Sequence, residues 1–174
     1  MLKYIIKDIV SVLHFAPYGI AAGGVVFLFC VLMNAWRTVR GKKKVPVRPA
    51  VCFYMYVVII LAITFFSREN GSGKGVDLEL FSTWGINIRN NAYVIENILL
   101  FIPYGFVCPW HMEKARSFLR CSEIGFFTSF AIECMQLVTH RGVFQIDDFL
   151  TNLVGSMIGY IFFRCAFPHA KENS

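Results

Sequence analysis

Residues 15–36 read FAPYGIAAGGVVFLFCVLMNAW, residues 37–49 read RTVRGKKKVPVRP, and residues 50–66 read AVCFYMYVVIILAITFF. Two apolar runs, each long enough for a helix to cross a hydrocarbon core of roughly 30 Å, flank a short stretch holding Arg37, Arg40, Lys42, Lys43, Lys44 and Arg48. This pattern predicts a helical hairpin in the membrane with a cytoplasmic basic loop. The whole chain agrees with it. Of 174 residues, 56% are hydrophobic and 16% charged, whereas a soluble domain carries roughly 25% charge. So little charge cannot cover so much apolar surface in water. A typical soluble enzyme, a disordered chain and a disulfide-stapled secreted module are all excluded. The net charge of +6 does not indicate nucleic acid, because six of the 17 lysines and arginines sit in that one loop. Acidic lipid headgroups are the expected counter-charge there.

The same reading continues along the chain. Apolar spans are expected at Phe15–Trp36, Ala50–Phe66, Tyr93–Trp110, Glu123–Thr139 and Phe149–Phe167. The expected fold is an all-α integral membrane protein with about five transmembrane helices plus an N-terminal amphipathic segment. That segment, residues 2–13, carries Leu2, Ile5, Ile6, Ile9, Val10 and Leu13 on one face and suits the membrane surface. Lys3 and Lys7 before an apolar run with Ala21 and Ala22 mimic a signal peptide. The run continues to Met33, however, as an uncleaved helix would. With the 37–48 loop inside, eleven basic residues lie on that side and six on the other. The N-terminus is then expected outside and the C-terminus in the cytoplasm.

Several local patterns carry no chemistry. Cys30, Cys52, Cys108, Cys121, Cys134 and Cys165 form no C-x-x-C pair, and five lie in apolar runs, so they read as small hydrophobes. The glycine-rich 70–75 stretch, NGSGKG, lacks the spacing of a phosphate-binding loop. Phe15-Ala16-Pro17-Tyr18-Gly19 echoes Phe101-Ile102-Pro103-Tyr104-Gly105. Five residues are thin evidence of duplication, and two proline-kinked helices are the simpler account of the echo.

Ionisable groups in a membrane span are costly and usually face the bundle interior or water. Here they gather in one half of the expected bilayer, the outer one. Glu96 and Asn97 lie near the start of the third span. Glu133 and Gln136 share a face near the end of the fourth. Arg141, Asp147 and Asp148 follow in a short loop, and Asn152 lies one turn into the fifth span. Together they predict a polar cup open to the outside. Asp148, Asn152, Gly155 and Gly159 form one stripe, in which the two glycines permit close approach of another backbone. The alternative is structural: Glu96, Glu133 and Gln136 bridge helices, and Arg141 neutralises a carboxylate. His140 adds a further donor near Glu133, Asp147 and Asp148, but no metal-ligand spacing is diagnostic, and neither metal nor cofactor is expected.

Glu96-Asn97-Ile98-Leu99-Leu100-Phe101-Ile102-Pro103-Tyr104-Gly105-Phe106 resembles the N-x-L-x-F-x-P-x-G signature of the VanZ-like family. Glu133, Gln136, Arg141, Asp147, Asp148, Asn152, Gly155 and Gly159 resemble its second signature, E-x-x-Q…R…D-D-x-x-x-N-x-x-G-x-x-x-G. Thr64-Phe65-Phe66-Ser67-Arg68 is similar to the family's end of the preceding helix. The resemblance implies a four-helix core over residues 50–167, with residues 1–49 added before it and 168–174 as a tail. The family is named for a bacterial protein linked to low-level teicoplanin resistance. It therefore implies a bacterial cell-membrane location and an outward-facing role at the cell envelope.

Three functions fit these residues. In the first, the cup engages a cell-envelope glycolipid or lipoglycopeptide: Arg141, with Arg68 or Arg89, pairs with a phosphate or carboxylate, and Glu96, Asn97, Glu133, Gln136, Asp147, Asp148 and Asn152 bind its polar groups. In the second, Glu133 and Asp147 or Asp148 act as acid and base in a transferase or hydrolase, although no G-x-S-x-G nucleophile motif occurs. In the third, the protein is a small transporter working as a homodimer, for which Gly155 and Gly159 supply either the interface between chains or an internal helix contact. Membrane lipids are expected partners in each case, and Pro103, Gly105, Gly155 and Gly159 are expected to set helix packing.

Overall fold

The computed structural model describes residues 1–66, 75–85 and 87–170. Six α-helices account for most of them: α1 Leu2–Val12, α2 Ala16–Val39, α3 Val47–Phe66, α4 Ile88–His111, α5 Phe118–Val138 and α6 Ile146–Ala166. Single 3-10 turns occur at Leu13–Phe15 and Glu113–Arg116. Two two-residue strands, β1 Val76–Asp77 and β2 Phe144–Gln145, pair in parallel with Val76 opposite Phe144. The protein is an all-α membrane protein. The segments Leu13–Val39, Val47–Phe65, Ile88–His111 and Ile146–Ala166 are each long and apolar enough to cross a bilayer.

α5 is the fifth long helix, and its composition is mixed. Its buried face carries Ser122, Gly125, Ser129, Glu133 and Gln136, whereas Phe126, Phe127, Phe130 and Val138 are exposed. Polar residues inward and aromatics outward suit lipid surroundings, where internal hydrogen bonds are the only partners for polar groups.

Several helix starts differ from expectation. α4 begins at Ile88, not Tyr93, because Asn87 caps it: its side chain accepts the Asn90 amide at 2.8 Å. α5 begins at Phe118, capped by Ser117. α6 begins at Ile146, so Asp147 and Asp148 belong to its first turn rather than to a loop, where acidic side chains suit the helix dipole. Pro17 lies in the first turn of α2, where its missing N–H costs no intrahelical bond, whereas Pro103 and Pro109 lie inside α4. Cys30, Cys108 and Cys121 are buried, but Cys165 is exposed.

Glycines bring the helices together. A Cβ on Gly105 of α4 would overlap the Ser156 carbonyl of α6, and one on Gly155 or Gly159 would overlap the carbonyls of Ile98 or Ile102. The glycine stripe of α6 is thus filled from within the chain by α4. Tyr56 of α3 donates to the Leu100 carbonyl at 2.6 Å, and the hydroxyls of Tyr104 and Thr128 join α4 to α5 at 2.7 Å. Beneath them a core of Phe53, Ile60, Phe101, Cys108 and Ile132 is closed. α2 packs along α3, with Gly19 facing Ile59 and Gly23 facing Met55, and leaves Ile20, Phe27, Phe29 and Leu32 exposed. α1 packs against α4, burying Ile5 and leaving Leu2, Ile6 and Val10 exposed, as is Leu13 in the turn that follows.

Candidate functional site

The C-terminal ends of α3 and α5 meet the N-terminal ends of α4 and α6 at one end of the bundle. The polar residues of the spans converge there. The last carbonyls of an α-helix lack partners within it, and those of α3 find them on α5 and the turn that follows. α5 ends in a Schellman turn. The amides of His140 and Arg141 donate to the Leu137 and Gln136 carbonyls at 3.2 and 3.0 Å, with His140 left-handed at φ 55°. That turn points Arg141 back at α3, where Nη1 donates to the Phe65 carbonyl at 2.6 Å. Gln136 Nε2 donates to the Thr64 carbonyl at 3.3 Å. A guanidinium at a helix C-terminus also meets the negative end of the dipole.

The carboxylates hold connections and neighbouring helices. Glu133 Oε2 accepts the amide of Gln145 at 3.3 Å, fixing the approach to α6. Both oxygens of Asp147 accept backbone amides, from Phe81 at 2.7 Å and Thr83 at 3.0 Å, which folds the loop before α4 over the start of α6. Asp148 Oδ1 accepts Asn97 Nδ2 of α4 at 2.6 Å. One turn on, Asn152 Nδ2 donates to Ser129 Oγ of α5 at 2.8 Å. Glu96 is half-buried beside Asn97. Glu133, Gln136, Asp147, Asp148 and Asn152 are only 2, 0, 2, 7 and 5% exposed. The expected cup is therefore filled by a hydrogen-bonded polar layer joining α3, α4, α5, α6 and the loop.

Arg89 stacks on Tyr4 and Tyr93, with its guanidinium 5.2 and 4.7 Å from their ring centres, and so ties α1 to α4. Arg68 and the 70–74 stretch lie outside the described residues. In the covering loop, Asp77 accepts the Ser82 hydroxyl at 2.7 Å and the Glu79 amide at 3.0 Å. These bonds, the Ser82 one foremost, hold its carboxyl below the usual carboxylate range. No three His, Cys, Asp or Glu residues come together as a metal site among the described residues.

Against this layer lies an apolar groove of about 450 Å3, walled by Ile98, Leu150, Leu153, Val154 and Met157, with Phe81 and Trp84 of the loop at its mouth. Asp147 and Thr151 also reach it. From Asp147 to Met157 it follows α6 for about 15 Å at 1.5 Å per residue.

The residues of this layer and of the α4–α6 crossing all fall within residues 53–167, which the family model described as VanZ/LLP1 matches. The chain belongs to the VanZ/LLP1 family. Protein VanZ of Enterococcus faecium is 24% identical over 134 residues, which cover 68% of this chain and 75% of that protein. No solved structure matches the chain. The VanZ/LLP1 region takes in α3 from residue 53 onward and then α4, α5 and α6, and leaves out α1, α2 and the basic loop.

Some members of the layer escaped the sequence reading. Ser129 partners Asn152, and Gly125 lies against Ser156. Their signal was present: Ser122, Gly125, Ser129, Glu133 and Gln136 recur at helical spacing as the small or polar residues of an otherwise apolar span. The amides of Phe81 and Thr83 had no signal, since any residue supplies an N–H.

Proposed function

We propose that this VanZ-type protein engages an amphiphilic cell-envelope ligand at its polar end, a glycolipid or lipoglycopeptide, and so contributes to teicoplanin-type resistance. The observation that carries this reading is the adjacency of the apolar groove to the polar layer. A groove of about 450 Å3 accepts an apolar chain, and an interfacial loop with exposed Phe81 and Trp84 suits the headgroup level. The polar part of the ligand lies across the loop and the Arg141 turn, the half-exposed edge of the layer. In this reading the N-terminus is outside. The basic loop 37–48, Lys114, Arg116, Arg120 and Arg164 then lie at the cytoplasmic end, opposite the carboxylates.

Binding is favoured over acid–base catalysis because Asp147 is already committed through both oxygens to backbone amides. The test blocks the groove and leaves the layer intact. Val154→Trp fills the groove from α6, and Trp84→Ala opens its mouth. Both are assayed for teicoplanin susceptibility in a sensitised strain lacking the native copy, at matched expression. Loss of protection in both supports the reading. Full protection by both variants would remove the groove from the function.

A further inference from the structure

The opposite end of the bundle carries a second, unrelated site. A cavity of about 370 Å3 lies where the Glu113–Arg116 turn meets the end of α6, lined by Trp110, Arg116, Phe163, Phe167 and His169. Its floor is aromatic. Trp110 and Phe167 stack with centroids 6.0 Å apart at 19°, and Phe163 lies 5.3 Å from Phe167. Arg116 lines the same cavity. The turn is fixed from below, since Tyr160 donates to the Arg116 carbonyl at 2.7 Å.

Arg116 Nε is buried and has no hydrogen-bond partner among the described residues. Among the described residues the guanidinium meets one carboxylate, Glu113, at 3.9 Å, and the Glu113 side chain is 65% exposed. Such an exposed pair contributes between nothing and about 1 kcal/mol, so Glu113 leaves easily when a better anion arrives. A buried donor without an acceptor is costly, and a guanidinium prefers a two-pronged oxyanion such as phosphate. The cavity lies at the ends of α4 and α6, where a bilayer presents phosphates above acyl chains. Lys114 is exposed in the same turn and adds positive potential at this end of the bundle.

We propose that this cavity binds the headgroup of an anionic phospholipid, with the phosphate on Arg116 and the glycerol and first acyl carbons against Trp110, Phe163 and Phe167. The lipid locks the α4–α5 turn to the end of α6. This site shares no residue with the polar end and stands or falls separately from the role proposed there.

Trp110 is the reporter. Replacing Trp36 and Trp84 by Phe leaves it as the one tryptophan, since the chain has three. The protein is placed in nanodiscs of phosphatidylcholine containing brominated phosphatidylglycerol or, in parallel, brominated phosphatidylcholine. Quenching should favour the anionic lipid by about five-fold, the worth of one interfacial cation. Arg116→Gln should abolish that preference, and Arg116→Lys should keep part of it. Helical content by circular dichroism verifies folding, and should Arg116→Gln not fold, the wild-type preference and the Lys variant still decide. Equal quenching by both lipids overturns the proposal, as does an unchanged preference in a folded Arg116→Gln protein. Excess inorganic phosphate at constant ionic strength should leave the quenching in place. Displacement by it would show a free-phosphate site and overturn the lipid assignment.

Discussion

Gly159→Ala adds one methyl group at the crossing of α4 and α6. The new Cβ would lie 2.9 Å from Cα of Gly105, nearer still to the Ile102 carbonyl oxygen, and ordinary contact begins at 3.4 Å. Both obstacles are backbone, so no side chain can swing aside: the Gly105 contact alone needs the helices to part by 0.5 Å, the gap between 2.9 and 3.4 Å, and the nearer carbonyl oxygen needs more. That movement stretches the Asn97–Asp148 bond, now 2.6 Å, towards the weak end of the hydrogen-bond range. Overpacking of this kind costs about 1–3 kcal/mol, and alanine returns about 0.5–1 kcal/mol through its better helix propensity. The expected net loss is about 1–2 kcal/mol. Unfolding in mixed micelles, titrated with sodium dodecyl sulfate and followed by circular dichroism, measures it. Gly24→Ala is the internal control: its Cβ meets nothing within 4 Å, so it should gain stability. If Gly159→Ala proves as stable as wild type, the close crossing is refuted. A loss of dimer with monomer stability intact would show that the glycine stripe serves an interface between chains instead.

Two further outcomes test the polar end. Asn97→Ala removes the donor to a buried carboxylate and should cost about 2 kcal/mol in the same titration, whereas Asn90→Ala, at the exposed start of α4, should change little. Acid should loosen the covering loop through Asp77. Its folded carboxyl titrates below the usual range, so its contribution is full above the unfolded value and is lost as pH falls through the lower folded one. Amide exchange of Glu79 and the emission of Trp84 should report that loss, and Ser82→Ala should move it to higher pH. A pH-independent loop would refute the role of Asp77.

The long helices were legible because hydrophobicity of about 20 residues is a signal each segment carries alone. α2, α3 and α6 needed little more than that. Their starts were harder. Asn87 and Ser117 cap α4 and α5, yet the polar first turns around Asn90, Asn91 and Arg120 look like loop when only apolar content is read. The clustering of Glu133, Gln136, Arg141, Asp147, Asp148 and Asn152 at one end was also legible, since spacing and alternating helix direction fix it. What each residue grips was not. In the sequence Arg141 reads as a cation for an anionic ligand or a neighbouring carboxylate, and Asp147 as a carboxylate lining the cup. Their partners are a carbonyl of α3 and two amides of the loop, backbone groups with no identity in a sequence. Gly155 and Gly159 show the same limit: the spacing announces a close neighbour, and only the fold says that it is α4.

The closure of α3 has a consequence for how the chain is made. Thr64 and Phe65 receive their donors from Gln136 and Arg141, 72 and 76 positions further along. When the α2–α3 hairpin leaves the ribosome, those donors do not yet exist. The end of α3 must wait at the membrane surface, with water as its partner, because unsatisfied carbonyls in lipid cost several kcal/mol each. Only when the turn after α5 has been synthesised can α3 settle to its final depth. The second half of the chain thus sets the vertical position of a helix inserted long before it, and a nascent chain halted short of residue 141 holds a hairpin that is inserted but unfinished.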